Sequence, residues 1–230
     1  MAALTVVAGA VDAITFLTMG HVFAALATGN VLFLSFALAG EGQIPVARPT
    51  VALTMFAAGV AVASLADRSL VARGRRWFPA ALAGEAVLLG AAGTVALVRH
   101  GTGSLTHDPD LAAIALVACA MGMRAAAVLR ASVPGMPTLL VQMSLVRLLA
   151  DVVTQLRVPA DEQAALQRRA RIRLSATVGA MVLGGALGTL MVPWGTGRAL
   201  IAVAAAVLAL SGLHLIQPRY RPPTDPEPSA

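Results

Sequence analysis

Apolar residues run in long blocks along this chain, and the short segments between the blocks hold most of its charges. A helix needs about 20 apolar residues to cross the core of a bilayer, and each block approaches that length. The pattern therefore predicts an all-α, polytopic bundle of transmembrane helices that forms one domain over residues 1–217. The blocks are residues 2–20, 22–40, 49–66, 78–98, 111–130, 137–156, 174–193 and 197–217.

The composition supports a membrane protein. Hydrophobic residues make up 58% of the 230 positions and charged residues 12%, whereas a soluble domain has about 25% charged residues. Beyond the last block, the fourteen residues from Gln217 include five prolines. Residues 218–230 are therefore predicted to form a disordered, proline-rich cytoplasmic tail.

The arginines predict the orientation of the chain. Four of them lie in residues 67–76 and five in residues 157–173, whereas the other loops carry one each. The positive-inside rule places both clusters in the cytoplasm, with the chain in a bacterial cytoplasmic membrane and both termini inside. The net charge of +6 is thus explained by membrane orientation. Without interleaved aromatic residues it does not indicate nucleic-acid binding.

The orientation limits how many blocks cross completely. With residues 99–110 outside and 157–173 inside, the chain between them crosses an odd number of times, yet this stretch holds two blocks. One of the two is therefore partial or re-entrant, or both share a broken crossing, and the same count applies to residues 1–40. Six net crossings in opposed halves, residues 1–98 and 111–217, form the inverted 3+3 repeat of many secondary transporters. Eight complete spans remain the alternative, and they would place the five arginines of residues 157–173 outside the cell.

Small residues recur at matching places in the two halves. Gly59 and Ala63 in the third block resemble Gly184 and Gly188 in the seventh. Each is a small-xxx-small pair of the kind that allows helices to approach closely. Such pairs are expected at helix contacts, either within the chain or with a partner.

Ionisable residues occur at membrane depth in several blocks. Asp12 is near the middle of the first block, where a carboxylate costs roughly 2.5–3.5 kcal/mol on insertion scales. It is expected to face the interior, either as a coupling site for a solute or proton or as a polar tie between helices. Arg124 lies at a similar depth and is the obvious partner for Asp12, unless it reaches the cytoplasmic surface. Glu85 is expected nearer the interface.

Two of the blocks are interrupted. Thr28, Gly29 and Asn30 occupy the middle of the second, where glycine and asparagine tolerate left-handed geometry and a helix can open. Pro134, Gly135 and Pro137 interrupt the corresponding place in the second half, followed by the polar residues Thr138 and Gln142. Interruptions at matching places in two halves indicate a central transport site. For Asn30, a hydrogen bond across a helix contact is the alternative.

Enzymatic chemistry is not indicated by the sequence. It has no Ser-His-Asp set, no HExxH and no P-loop pattern. The single cysteine, Cys119, excludes a Cys-based zinc site, and the spacing of His100 and His107 fits no standard metal site. We therefore expect no cofactor, no metal and no enzyme activity.

Residues 8–40 resemble the start of the YoaK family of bacterial membrane proteins, and the resemblance extends over nearly the whole chain. In the second half this chain departs from the family pattern: Gly122-Met123-Arg124-Ala125-Ala126 stands where relatives carry Gly-x-Gln-Asn-Ala. The polar groups at Thr138 and Gln142 also differ from the threonine-rich family pattern. The family has no established substrate, so the resemblance implies a class of protein without naming an activity. The matching positions are Gly9, Asp12, Ala13, Phe16, Phe23, Thr28, Gly29 and Asn30.

These observations favour a small-solute transporter or permease with a polar site at mid-membrane. The expected partners are the lipid bilayer, an unidentified small solute or ion and, in some arrangements, further copies of the chain. The alternative is a non-transporting scaffold or regulatory subunit that acts through its small-residue faces. The candidate site residues are Asp12, Phe16, Thr28, Gly29, Asn30, Arg124, Thr138 and Gln142.

Overall fold

The computed structural model describes residues 2–41, 45–72, 77–101, 111–131 and 164–216, and within these ranges the chain is all-α. The prediction of a helical fold is therefore confirmed. The sixth apolar block, with Thr138 and Gln142, and the tail 218–230 lie outside the described residues. The helices are α1 (Ala2–Thr18), α2 (Ala27–Leu38), α3 (Ala47–Ala72), α4 (Trp77–Gly101), α5 (Leu111–Ala131), α6 (Ala164–Met191) and α7 (Thr196–Ile216), with a 3-10 turn (Val192–Trp194) between the last two.

Within the described ranges, the helices from α3 to α7 are each long and apolar enough to cross a membrane. In contrast, α1 has 17 residues and α2 only 12. At 1.5 Å per residue, α2 is about 18 Å long, well short of the roughly 30 Å apolar core. The second block is thus not a complete span, which agrees with the prediction that residues 1–40 do not contain two complete crossings.

The interruption between α1 and α2 begins at two residues with left-handed backbone geometry, Gly20 (φ 80°) and His21 (φ 62°). The His21 amide donates to the Phe16 carbonyl oxygen over 3.2 Å, which closes the end of α1 as a Schellman motif. The chain reverses here, and residues 21–26 run back beside α1 before α2 begins.

Helices α3 and α5 approach at the level of their backbones. A Cβ added to Gly59 would lie 2.1 Å from the Cys119 carbonyl oxygen. A Cβ added to Gly122 would lie 2.1 Å from the Phe56 carbonyl oxygen and 3.1 Å from the Val60 nitrogen. Only glycine allows this separation, because real Cβ atoms do not approach backbone atoms so closely.

Helices α1 and α6 make the same contact. A Cβ on Gly184 would lie 2.1 Å from the Val6 carbonyl oxygen, and one on Gly9 would lie 2.6 Å from the Met181 oxygen and 3.0 Å from the Gly185 nitrogen. The α1 residues lie 113 positions before their counterparts in α5, and the α6 residues lie 125 positions after their counterparts in α3. The repeated geometry supports the predicted inverted repeat, with α1 matched to α5 and α3 to α6.

The remaining pair, α4 and α7, packs antiparallel. A Cβ on Gly93 would lie 2.8 Å from the Gly197 carbonyl oxygen, and one on Gly197 would lie 2.6 Å from the Gly93 oxygen. Toward the other end of the pair, the Ser211 hydroxyl donates to the Pro79 carbonyl oxygen over 2.8 Å. In an inverted repeat, equivalent helices of the two halves run in opposite directions. Helices α4 and α7, the last helix of each half, do so.

Large aliphatic side chains cover the outside of the bundle. Leu65, Val87, Val182, Leu190 and Leu208 are each more than half exposed. Such a surface is unfavourable in water and is the normal surface of a helical membrane protein. These helices are therefore in contact with the lipid bilayer.

Candidate functional site

Asp12 lies two turns before the end of α1, and only 4% of its surface is exposed. Its Oδ1 accepts a 2.7 Å hydrogen bond from the backbone amide of Ala25, and the amides of Ala24 and Leu26 also interact with this carboxyl group. The segment after α1 therefore folds back until its backbone reaches the level of Asp12. These peptide groups are not part of a helix, and the buried carboxylate interacts with their N–H groups.

Asn30 holds the same segment from the other side. Its Oδ1 accepts from the Phe23 amide over 3.0 Å, and its Nδ2 donates to the Phe23 carbonyl oxygen. The side chain is 2% exposed, so both Phe23 backbone groups are satisfied away from water. Asn30 thus bonds to the segment that precedes its own helix, and the alternative of a bond across a helix contact is wrong.

The helix interruption lies earlier than the sequence suggested. Thr28, Gly29 and Asn30 form part of the first turn of α2, whereas the non-helical backbone covers residues 19–26. Gly29 is required for a different reason, since a Cβ there would lie 2.6 Å from the Phe23 ring. Thr28 is exposed, unlike the buried Asp12.

Phe16 belongs to an aromatic cluster beside the carboxylate. Its ring stacks on Phe23 with centroids 4.8 Å apart, and Phe33 lies 6.2 Å from Phe16 and 5.8 Å from Phe23. His21 meets the edge of the Phe16 ring at 5.0 Å. The cluster packs the returning segment against both α1 and α2, which stabilises the non-helical backbone at membrane depth.

Replacing Asn30 with alanine is expected to destabilise the protein by roughly 1–3 kcal/mol for each Phe23 backbone group left unpaired. Ser35→Ala, on an exposed position of the same helix, should change stability by less than about 0.5 kcal/mol. Thermal unfolding of both variants in detergent checks this prediction. Equal melting temperatures for the two would show that Asn30 does not hold the segment.

Arg124 does not pair with Asp12 as predicted, and it does not reach the cytoplasmic surface. Its Nε donates to Glu85 Oε2 over 2.9 Å, its Nη2 donates to Glu85 Oε1, and its Nη1 donates to the Leu4 carbonyl oxygen over 3.0 Å. Arg124 and Glu85 are 5% and 0% exposed. Glu85 is therefore buried inside the bundle, and the ion pair joins α4, α5 and α1.

The buried charges do not balance within the described residues. Glu85 and Arg124 neutralise each other through two hydrogen bonds, and Asp12 remains with one formal negative charge. Arg124 is close enough for its charge to act on Asp12, but its hydrogen bonds go elsewhere. In this part of the chain Asp12 Oδ2 and the Thr5 hydroxyl are buried without a hydrogen-bond partner, and such groups normally bind water or a ligand.

The chain is similar in sequence to a known protein family and to a transmembrane protein. Residues 1–213 match the family described as "Protein of unknown function (DUF1275)". The chain is 31% identical over 152 residues to the UPF0700 transmembrane protein YoaK of Bacillus subtilis (strain 168). This match covers 65% of the chain and 64% of the relative, slightly less than two thirds of its length. No solved structure matches the chain.

The resemblance to YoaK is therefore confirmed. Together with the exposed aliphatic surface and the long apolar helices, it identifies an integral membrane protein. The chain belongs to the DUF1275 family of proteins of unknown function.

Proposed function

We propose that this protein is a transporter of a small solute, with its site at mid-membrane around Asp12. The observation that carries the proposal is the non-helical backbone of residues 19–26, held at membrane depth by the side chains of Asp12 and Asn30. Irregular backbone at that depth is tolerated where it is buried in protein or lines a cavity. Broken helices within an inverted repeat form the sites of many secondary transporters.

The arrangement of charge supports a coupling role for Asp12. A residue that served only to tie helices together would have both carboxylate oxygens engaged, as Glu85 has. Asp12 instead has one oxygen that accepts from the Ala25 amide and one without a hydrogen-bond partner in the described chain. Asp12 binds a positive charge during transport, and Phe16 and Asn30 position the segment opposite it.

The proposed location is the bacterial cytoplasmic membrane, with residues 67–76 and both termini in the cytoplasm. The guanidinium of Arg130 lies 5.7 Å from the centroid of the Trp77 ring. These residues are at the end of α5 and the start of α4, and tryptophan and arginine are typical of the membrane interface. This contact supports an interfacial position for this end of the bundle, and the positive-inside rule favours the cytoplasmic side for it.

The scaffold alternative loses its main support. Gly59 and Gly184 were its expected partner contacts, yet both pack against backbone within this chain. Their small-residue faces are already occupied, so they are not available to a second protein.

Asp12→Asn is expected to lower solute flux at least tenfold, or to abolish its pH dependence, because the amide cannot carry the coupled charge. The measurement is a flux screen with purified protein in proteoliposomes, using amino acids, sugars, amines and carboxylates across a pH gradient. Thr54→Val, on an exposed face of α3, serves as the control. Unchanged pH dependence in Asp12→Asn would contradict the coupling role, and the absence of flux for every solute would contradict transport.

A further inference from the structure

Two buried oxygen atoms on α1 have no partner in the described part of the protein, Asp12 Oδ2 and Thr5 Oγ1. The residues that carry them are 4% and 1% exposed. A buried polar atom without a partner is rare in native structures, and ordered water is the usual explanation. Two such atoms on one helix indicate water at more than one point along it.

The two oxygens lie on the same face of α1. Thr5 and Asp12 are seven residues apart, which is close to two helical turns and about 10 Å along the axis. A chain of about three hydrogen-bonded waters would span that distance. Ala8 lies between them at helical spacing, and its side chain is small.

Polar groups already surround the Thr5 end of this face of α1. The neighbouring carbonyl of Leu4 accepts from Arg124, which is bound to Glu85. The Arg124–Glu85 pair is neutral, and both carboxylate oxygens of Glu85 accept from the guanidinium. Both Glu85 oxygens therefore already interact with a positive charge, whereas Asp12 Oδ2 has no hydrogen-bond partner in the described part of the protein.

The surroundings of Asp12 favour a proton over a metal ion. Backbone N–H groups from residues 24–26 interact with the carboxyl group, and their positive ends repel a cation on that side. A metal such as Ca²⁺ needs six or more oxygen ligands, and no described group of three His, Cys, Asp or Glu residues is placed to bind a metal. A proton needs a single free oxygen, which Oδ2 provides.

We propose that Asp12 Oδ2 is the binding site of a transported or coupling proton, and that a chain of waters along α1, passing Thr5, delivers it. Uptake forms an O–H bond on Oδ2 as the adjacent hydronium gives up its proton and becomes water, and release reverses these steps. This proton site rests on the proposed transport function, since it names the charge that is coupled at Asp12.

Among the described residues, few other charged groups lie near the face of α1 between Thr5 and Asp12. The α6 residues that contact α1, such as Met181 and Gly184, are uncharged. On α7, Arg198 and His214 lie near opposite ends of the helix, and His21 packs on the Phe16 ring beyond Asp12. Changes in proton binding are therefore assigned to Asp12 by comparison with Asp12→Asn.

Infrared difference spectroscopy of the full chain in lipid tests the proposal. A pH step should reveal a carboxylic-acid C=O band that is lost in Asp12→Asn and retained in Thr5→Val. In heavy water, the exchange of this band should be roughly tenfold slower in Thr5→Val than in wild type, because one hydrogen-bonded step is lost. Thr5→Ser, which keeps the hydroxyl, should restore the rate.

Thr15→Val is the matched control. Thr15 is buried on the same helix, but its hydroxyl already donates to the Val11 carbonyl oxygen over 3.0 Å, so exchange should keep the wild-type rate. Absence of an Asp12-dependent band would overturn the proton site, and equal exchange in Thr5→Val and Thr15→Val would overturn the path. Neither readout needs a known solute. A proton site without any flux would therefore contradict the transport function alone.

Discussion

Replacing Gly184 with alanine is expected to destabilise the protein by about 3 kcal/mol, the upper end of the range for overpacking. The added Cβ would lie 2.1 Å from the Val6 carbonyl oxygen, and a backbone atom within a helix cannot rotate away. Helices α1 and α6 would have to separate along their whole contact. Thermal unfolding in detergent should show a melting temperature lower by roughly 10 °C.

The adjacent residue provides the control for this experiment. A Cβ on Gly185 would have no atom within 4 Å, and alanine in a helix is favoured over glycine by roughly 0.5–1 kcal/mol. Gly185→Ala should therefore match or exceed wild-type stability. The repeat predicts that Gly59→Ala behaves like Gly184→Ala. A similar melting temperature for Gly184→Ala and Gly185→Ala would contradict the close α1–α6 contact.

Removing either partner of the buried ion pair should be the other large effect. Glu85→Gln or Arg124→Gln alone is expected to cost about 3–5 kcal/mol, because an uncompensated charge or donor remains in the interior. The double variant should recover part of this loss, since two glutamines are neutral and can bond to each other. Unfolding of the four proteins in a double-mutant cycle would measure the coupling energy.

Arg130→Gln tests whether the effect belongs to the buried pair. Arg130 is an exposed arginine of the same helix, and loss of its contact with Trp77 should cost about 1 kcal/mol or less. If the losses in the two single variants simply add in the double variant, Glu85 and Arg124 do not act as a pair.

The large-scale architecture was predictable because it depends on patterns that persist along the chain. Block lengths and arginine clusters indicate several crossings and no more than one net crossing in residues 1–40, and the short α2 agrees with this. The small-residue pairs at Gly59 and Gly184 were also recognisable, because close helix contact leaves few alternatives to glycine. These features depend on residue type and spacing, which a sequence displays directly.

The site was harder to predict because it depends on which way each helix faces. Asp12 and Arg124 were matched by depth, yet depth does not fix rotation about the helix axis, and Arg124 faces Glu85. The tolerance of Gly29 and Asn30 for left-handed geometry predicts the helix break at these residues. In the structure Gly20 and His21 adopt that geometry, whereas Gly29 and Asn30 act through contacts with Phe23. Gly20 after the last turn of α1 was the available signal.

The partners of the buried charges have a consequence for biogenesis. Glu85 and Arg124 belong to consecutive helices, so α4 and α5 can leave the translocon as a neutral hairpin. Asp12 is bound by amides only thirteen positions later in the chain, so the emerging segment supplies its partners almost as soon as α1 is made. A nascent chain can therefore satisfy each of these groups once α5 has been made, before α6 and α7 are synthesised.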